Sequence, residues 1–363
     1  MSDPTVPVTT AGTRGLLDRL EDNGVVCAEG YLFELERRGY LQAGAFVPEV
    51  VLDHPEALKQ LYREFVHAGS DVVEAFTYYG HREKLRLIGK EQLLEPLNRG
   101  ALRLAHEVAA ETAAQPAGQR PLVAGNICNT NVYHPDGKAP LQAVRAMFEE
   151  QVAWAVEEKA DFVIAETFYF CGEARIALAV VKEAGVPAVV TLAVPATGTL
   201  LDGYSPASAA MVLAADGAEV VGLNCFRGPA TIMPLIKEIR ESVSCHIAAL
   251  PVPYRTTNDH PTFFTLPDPG GSAIPGGRPF PTALEPLLCN RYEVARFAQE
   301  AYAMGVRYLG VCCGNAPHYT RAVAEAIGRT PAASEYSPDM SKHFAFGTDP
   351  SLDSQTLRLS SQL

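Results

Sequence analysis

Short, almost uninterrupted apolar runs recur along the chain, separated by stretches whose apolar residues return every three or four positions. The runs lie at 24–27 (GVVC), 71–76 (DVVEAF), 122–125 (LVAG), 161–165 (DFVIA), 186–193 (VPAVVTLA), 219–223 (EVVGL), 246–250 (HIAAL) and 306–311 (VRYLGV). Each is bounded by glycine, proline or a polar cluster, which predicts strands buried on both faces. The intervening stretches predict amphipathic helices. Pro55 takes a first helical position, Leu58, Leu61, Phe65 and Val66 share one face, and Gly69 stands where a left-handed cap ends that helix. Further helices are expected over 91–112, 141–159, 173–184, 206–215, 232–241, 291–304 and 317–327.

Eight strands alternating with helices predict an α/β fold, a single (β/α)8 TIM-type barrel, with a doubly wound open sheet as the competitor. The barrel is assigned to 24–328, after an N-terminal extension, 1–23, and before a C-terminal tail, 329–363, that has no clear periodicity. Residues 266–281 (LPDPGGSAIPGGRPFP) read as a loop too rich in turn residues to pack as an element. The length of 363 residues suffices for a large core without disulfide or metal staples.

Charge narrows the partners. The balance of 42 acidic against 30 basic residues gives a net −12, and no basic cluster is present, which argues against nucleic acid and anionic membranes. No apolar run approaches the roughly 20 residues of a membrane span, and the N-terminus has no signal-peptide pattern. The eight cysteines, at 27, 128, 171, 225, 245, 289, 312 and 313, are scattered rather than dense, so a reducing, cytoplasmic location is expected.

Active sites of such barrels lie at the C-terminal ends of the strands. Those ends are expected at Glu29-Gly30, at 74–79 (EAFTYY), and at Asn126, Glu166, Asn224-Cys225 and Cys312-Cys313-Gly314. Cys225, Cys312 and Cys313 would converge at one mouth. Three thiolates there can hold Zn²⁺ with a fourth position open, although buried cysteines also serve as small hydrophobes and vicinal ones as redox groups. The adjacent pair requires a bend, which Gly310 and Gly314 would ease. Glu29 and Glu166 suit a substrate ammonium, while Glu74 reads equally as a salt-bridge partner on the barrel wall. Phe76, Tyr78, Tyr79, Phe168, Tyr169 and Phe170 suit either packing or a cage for an onium cation. The histidines read as surface or cap residues, and Trp154 as core.

At these residues the sequence resembles the homocysteine-binding domain family of zinc-dependent methyltransferases, and within it the betaine-using members. The likeness rests on FELERRGYLQAG (33–44), HPEALKQLYREFVHAGSDVV (54–73), GLNC (222–225) and EAYAMGVRYLGVCCG (300–314). It implies a (β/α)8 barrel, zinc on Cys225, Cys312 and Cys313, and homocysteine held by Glu166 with Glu29, Gly30 and Asn224. Phe46, Tyr78 and Tyr79 are implied as donor-site aromatics, and no catalytic residue beyond a zinc-activated thiolate is implied. Three positions depart from the betaine-using pattern. Glu29-Gly30-Tyr31 stands for Asp-Gly-Gly, Phe46 for a tryptophan, and Thr167 for a tyrosine.

The implied reaction moves a methyl group from a small onium donor of the betaine type to homocysteine, giving methionine. The alternatives are S-methylmethionine or a corrinoid protein as donor, or a zinc- and thiol-binding barrel without catalysis. Small molecules are the expected partners. The short tail favours a homodimer over the tetramer that a longer arm builds.

Overall fold

All eight apolar runs form strands: β1 (Val25–Ala28), β2 (Val72–Glu74), β3 (Leu122–Cys128), β4 (Phe162–Phe168), β5 (Ala188–Leu192), β6 (Val220–Asn224), β7 (His246–Leu250) and β8 (Tyr308–Val311). They pair in parallel in chain order, and β8 returns to β1 with Val25 opposite Tyr308 and Ala28 opposite Val311. That last pairing closes the barrel and excludes the open sheet. The structure is a computed structural model describing residues 14–363 apart from 116–117, 138–140, 271–273, 354, 356–357 and 360. Residues 1–13 of the expected N-terminal extension and 271–273 of the proline/glycine-rich loop therefore lie outside the described residues.

Twelve α-helices surround the strands among the described residues: α1 (Leu16–Asp22), α2 (Tyr31–Arg37), α3 (Val50–Asp53), α4 (Pro55–His67), α5 (Arg82–Leu87), α6 (Leu94–Ala113), α7 (Leu141–Glu157), α8 (Cys171–Glu183), α9 (Pro206–Ala215), α10 (Pro229–Ser242), α11 (Arg291–Ala303) and α12 (Pro317–Ala326). Helix α4 starts at Pro55, buries Leu58, Leu61, Tyr62 and Phe65, and is followed by Gly69 at φ 111°. Helix α11 is set by a capping box: Asn290 accepts from the amides of Tyr292 and Glu293, and Glu293 accepts from that of Asn290. None of the described helices is long and apolar enough to cross a membrane.

A repeated device fixes the N-terminal end of the barrel. Asp71, Asp161 and Glu219 each stand immediately before an even-numbered strand and accept an amide hydrogen from the odd strand before it: from Val26 (2.7 Å), Val123 (2.7 Å) and Ala188 (2.8 Å). Each acid also pairs with a cation, respectively Arg329, Arg120 and Lys182. Charge-assisted bonds of this kind hold neighbouring strands in register. Through Arg329 the first residue of the tail is tied to the barrel floor. Beyond it Tyr336, Met340, Phe344 and Phe346 are exposed.

The loop 266–281 packs more than its composition suggests. Phe280 lies 5.0 Å from the Phe263 ring and 4.5 Å from that of Phe264, and Leu266 is buried.

Candidate functional site

At the C-terminal end of the barrel β6 and β8 bring three sulfurs together. The Sγ atoms of Cys225, Cys312 and Cys313 lie within 4.8 Å of one another. Cys225 and Phe226 both have positive φ, 56° and 53°, which turns the chain sharply out of β6; such strained conformations cluster at functional sites. The bend after β8 falls at Gly314, φ 96°, where a Cβ would meet Tyr254 Oη at 2.5 Å. Gly310 contributes no bend. It lies inside β8, and its missing side chain leaves room for the Cys27 carbonyl, 1.9 Å from where a Cβ would stand.

The thiols are electrostatically linked. The Cys225 thiol is held well below its ordinary range because Cys312, and then Cys313, donate hydrogen bonds to it. Burial pushes the Cys312 thiol up, and sharing its proton with Cys225 raises that of Cys313.

Next to the sulfurs runs a ladder of acids and amides. The Asn126 amide nitrogen donates to Glu74 Oε1 and, at 2.7 Å, to Glu166 Oε1. The Asn224 amide nitrogen donates to Glu166 Oε2 (2.7 Å) and Glu29 Oε2 (3.3 Å). Three carboxylates thus alternate with two asparagines, all of them buried. Burial is the first cause raising each of the three carboxyl groups above the usual range; the charge of Glu166 is the second for Glu29 and Glu74. Glu74 is therefore not a partner on the barrel wall, since its carboxyl group points into the interior, where its neighbours are the Asn126 amide and the Glu166 carboxyl group, with which it shares a hydrogen bond.

Local backbone explains how these side chains meet. The β4–β5 register breaks between Ala165 and Phe168, and Thr167 has φ 59°. A bulge re-aims side chains at a strand end. Here Glu166 and Thr167 both turn inward, joined by a 2.9 Å bond from Thr167 Oγ1 to Glu166 Oε2. Thr167 N–H donates to Asn224 Oδ1 at 3.0 Å, tying β4 to β6. Strands β3 and β4 run two residues past the expected ends at Asn126 and Glu166, because these polar side chains face the interior of a strand that continues.

A cavity of about 30 Å³ connects ladder and thiols, lined by Glu74, Asn126, Glu166, Thr167, Cys312 and Cys313. Ala75, Phe76, Tyr78 and the segment 30–32 complete it, and among the described residues no lysine, arginine or histidine lines it. Of the expected donor-site aromatics, Tyr78 reaches this cavity; Phe46 and Tyr79 do not. Phe46 packs towards Phe33 with ring centres 6.2 Å apart, and the Tyr79 ring lies under Lys84 Nζ at 3.8 Å. Phe168 is fully buried core, Tyr169 hydrogen-bonds to Asn129, and Phe170 packs on Tyr133.

Asn126 is central to the ladder, yet sequence reasoning placed it only at a strand end. His81 was missed altogether; it is 1% exposed and neither ring nitrogen has a hydrogen-bond partner.

A much larger cleft, about 980 Å³, opens at the opposite end of the barrel between α1, α4 and the start of the tail. Ion pairs occupy part of its lining, Arg63 with Glu111 and Arg14 with Asp22, and among the described residues no thiol lines it. The thiols and the acid–amide ladder mark the smaller cavity as the candidate site.

Comparison with known proteins places this geometry in context. The family model described as homocysteine S-methyltransferase matches residues 27–327. Betaine–homocysteine S-methyltransferase 1 of Xenopus tropicalis is 36% identical over 349 residues, covering 93% of this chain and 81% of its own. The S-methylmethionine–homocysteine S-methyltransferase of Pongo abelii is 34% identical over 343 residues, covering 92% and 86%. Among solved structures, the metallated form of the homocysteine methyltransferase MmuM of Escherichia coli shares the fold with a TM-score of 0.66. It is 17% identical and covers 84% of this chain and 96% of its own.

Proposed function

Because the chain belongs to the homocysteine S-methyltransferase family, we propose that it transfers a methyl group from a small onium donor to homocysteine, giving methionine, with zinc held by Cys225, Cys312 and Cys313. The observation that carries this reading is the meeting of three sulfurs within 4.8 Å beside a buried acid–amide ladder. Tetrahedral zinc with bonds of about 2.3 Å needs sulfurs about 3.8 Å apart, so the donor set fits the ion. Bound there, zinc supplies a Lewis acid that lowers the pKa of a fourth thiol, making it nucleophilic at neutral pH.

The chain's own residues do the rest. Glu166 and Glu29, aligned by Asn224, take the homocysteine ammonium and direct its sulfur towards the cysteines; Glu29 and Glu166 each place a carboxylate oxygen within 4.8 Å of Cys312 Sγ. Gly30 begins the turn that carries Tyr31 and Leu32 over the cavity. Tyr78 and Phe76 offer aromatic faces to a cationic donor and exclude water. The homocysteine sulfur forms its bond to the methyl carbon as the onium bond breaks. The electron pair leaves with the donor's heteroatom, which departs neutral, and loss of that charge is favoured in a dry site. No general base is required at this step.

Both donor types named among the relatives enter the test. Zinc-loaded protein and homocysteine are incubated with glycine betaine, proline betaine, a sulfonium propionate and S-methylmethionine, and methionine is followed by mass spectrometry. Methionine from one of them is expected; none from any, with zinc bound, overturns the reading. The eight cysteines are all free, in keeping with a reducing, cytoplasmic setting. The exposed Tyr336, Phe344 and Phe346 of the tail suit a homodimer contact.

A further inference from the structure

One member of the ladder is left over. On the reading above, Glu166 and Glu29 receive the ammonium, and Glu74 has no task. Yet Glu74 lines the same cavity as Glu166, shares the Asn126 amide with it, and has a carboxylate oxygen within 4.8 Å of one on Glu29. Burying a third carboxylate is costly unless something positive meets it.

The hydrogen-bond inventory says what kind of group that is. An asparagine amide has two N–H hydrogens. Those of Asn126 go to Glu74 and Glu166, and those of Asn224 are taken up among Glu166, Glu29 and Thr167. Two acceptors then remain with no donor at all: Glu29 Oε1 and Asn126 Oδ1, on side chains 1% and 4% exposed. Unpaired buried acceptors call for a ligand that brings N–H groups. A quaternary ammonium or a sulfonium centre brings charge but no N–H, so the reacting group of the methyl donor cannot satisfy them; of the donors tested, S-methylmethionine alone carries a primary ammonium of its own and would compete with homocysteine for this place. A primary ammonium brings one positive charge and three N–H bonds.

We propose that Glu74 is a specificity-determining residue, a third acceptor beside Glu166 and Glu29 that makes the site select a thiol bearing a free primary ammonium. This inference rests on homocysteine being the acceptor. It extends the role of the ladder from holding an amino acid to rejecting thiols whose nitrogen is absent or substituted. A site built to bond an N–H rejects the analogue that lacks it, because the site's own groups are then left unpaired.

The test is binding, independent of turnover. Zinc-loaded protein is titrated calorimetrically with homocysteine, with N,N-dimethylhomocysteine and with 4-mercaptobutyrate, which has no nitrogen. The wild type is expected to prefer homocysteine to either analogue by about 100-fold or more. Glu74→Gln, which keeps the shape, is expected to weaken homocysteine about 10- to 100-fold and leave 4-mercaptobutyrate unchanged, while Glu74→Asp restores part of the preference. In turnover the loss appears in KM with kcat retained.

A wild type that binds N,N-dimethylhomocysteine as well as homocysteine overturns the proposal without any variant. So does a folded, zinc-holding Glu74→Gln protein with an unchanged preference, or with equal losses for all three thiols. Absence of methionine from every donor while the preference persists would remove the methyl-transfer reading and still support Glu74 as an ammonium acceptor.

Discussion

Cys312 sits where two demands meet: its sulfur belongs to the thiol trio, and its carbonyl lies 2.4 Å from where a Cβ on Gly30 would stand. Cys312→Ala removes one of the three proposed zinc ligands, so metal and turnover are expected to be lost together, as read by metal content after dialysis and by methionine formation. Full metal content with full activity would exclude this cysteine from the site. His81 makes a different prediction. Burial, aided by Lys84, lowers its imidazole to about 3, against about 6.5 in an unfolded chain. Below pH 6.5 the unfolded chain therefore binds a proton that the folded one refuses. Its contribution is complete above that pH and drains away on acidification, by about 1.4 kcal/mol per unit, until pH 3 is approached. Between pH 7 and 5 the wild type should lose about 2 kcal/mol more than His81→Gln in urea unfolding. Equal losses would show that this ring is not the sensor.

Among the elements, the turn from β1 into α2 and the turn after β8 interlock. Gly30 has φ 88° and packs on the Cys312 carbonyl, and Asn315 Nδ2 donates to the Glu29 carbonyl at 3.0 Å. Gly30→Ala adds about 1–2 kcal/mol of left-handed strain and forces Cys312 to move. A lowered melting temperature and at least a tenfold loss in zinc affinity by chelator competition are expected, whereas unaltered affinity would uncouple the two turns. The strands were legible because runs such as VVGL at 220–223 are apolar throughout, as burial on both faces requires. α1, α2, α3 and α5 went unread because none exceeds seven residues, too few for a helical period to show. At the site, the sulfurs were legible from their strand ends. The ladder was not, because a bulge at Thr167 and two asparagine amides connect residues that sequence spacing treats as separate.

For the molecule as a whole, the barrel floor divides the strands unevenly. Asp71 joins β1 to β2, Asp161 joins β3 to β4, and Glu219 joins β5 to β6. The corresponding position before β8 is Arg307, which lies over the Tyr302 ring at 4.3 Å and offers no acceptor to β7. Three quarters of the barrel thus form from neighbouring, latched strand pairs, while the last must bring Tyr308 back to Val25 across nearly the whole chain. Contacts between such distant residues are the slowest to form, so the seam at β8 is the natural last step of folding. Cys225 follows β6, a strand before that seam, and Cys312 and Cys313 follow the strand that closes it. On the proposed zinc assignment, metal uptake is the signal that the circle has closed, and the ion's binding energy becomes the clasp on the seam. Amide exchange at Tyr308–Val311 should slow on zinc addition, with exchange in β3 and β4 unchanged; uniform slowing would mean the barrel closes as one unit. The residues that perform the chemistry would on this account also report that the protein is finished.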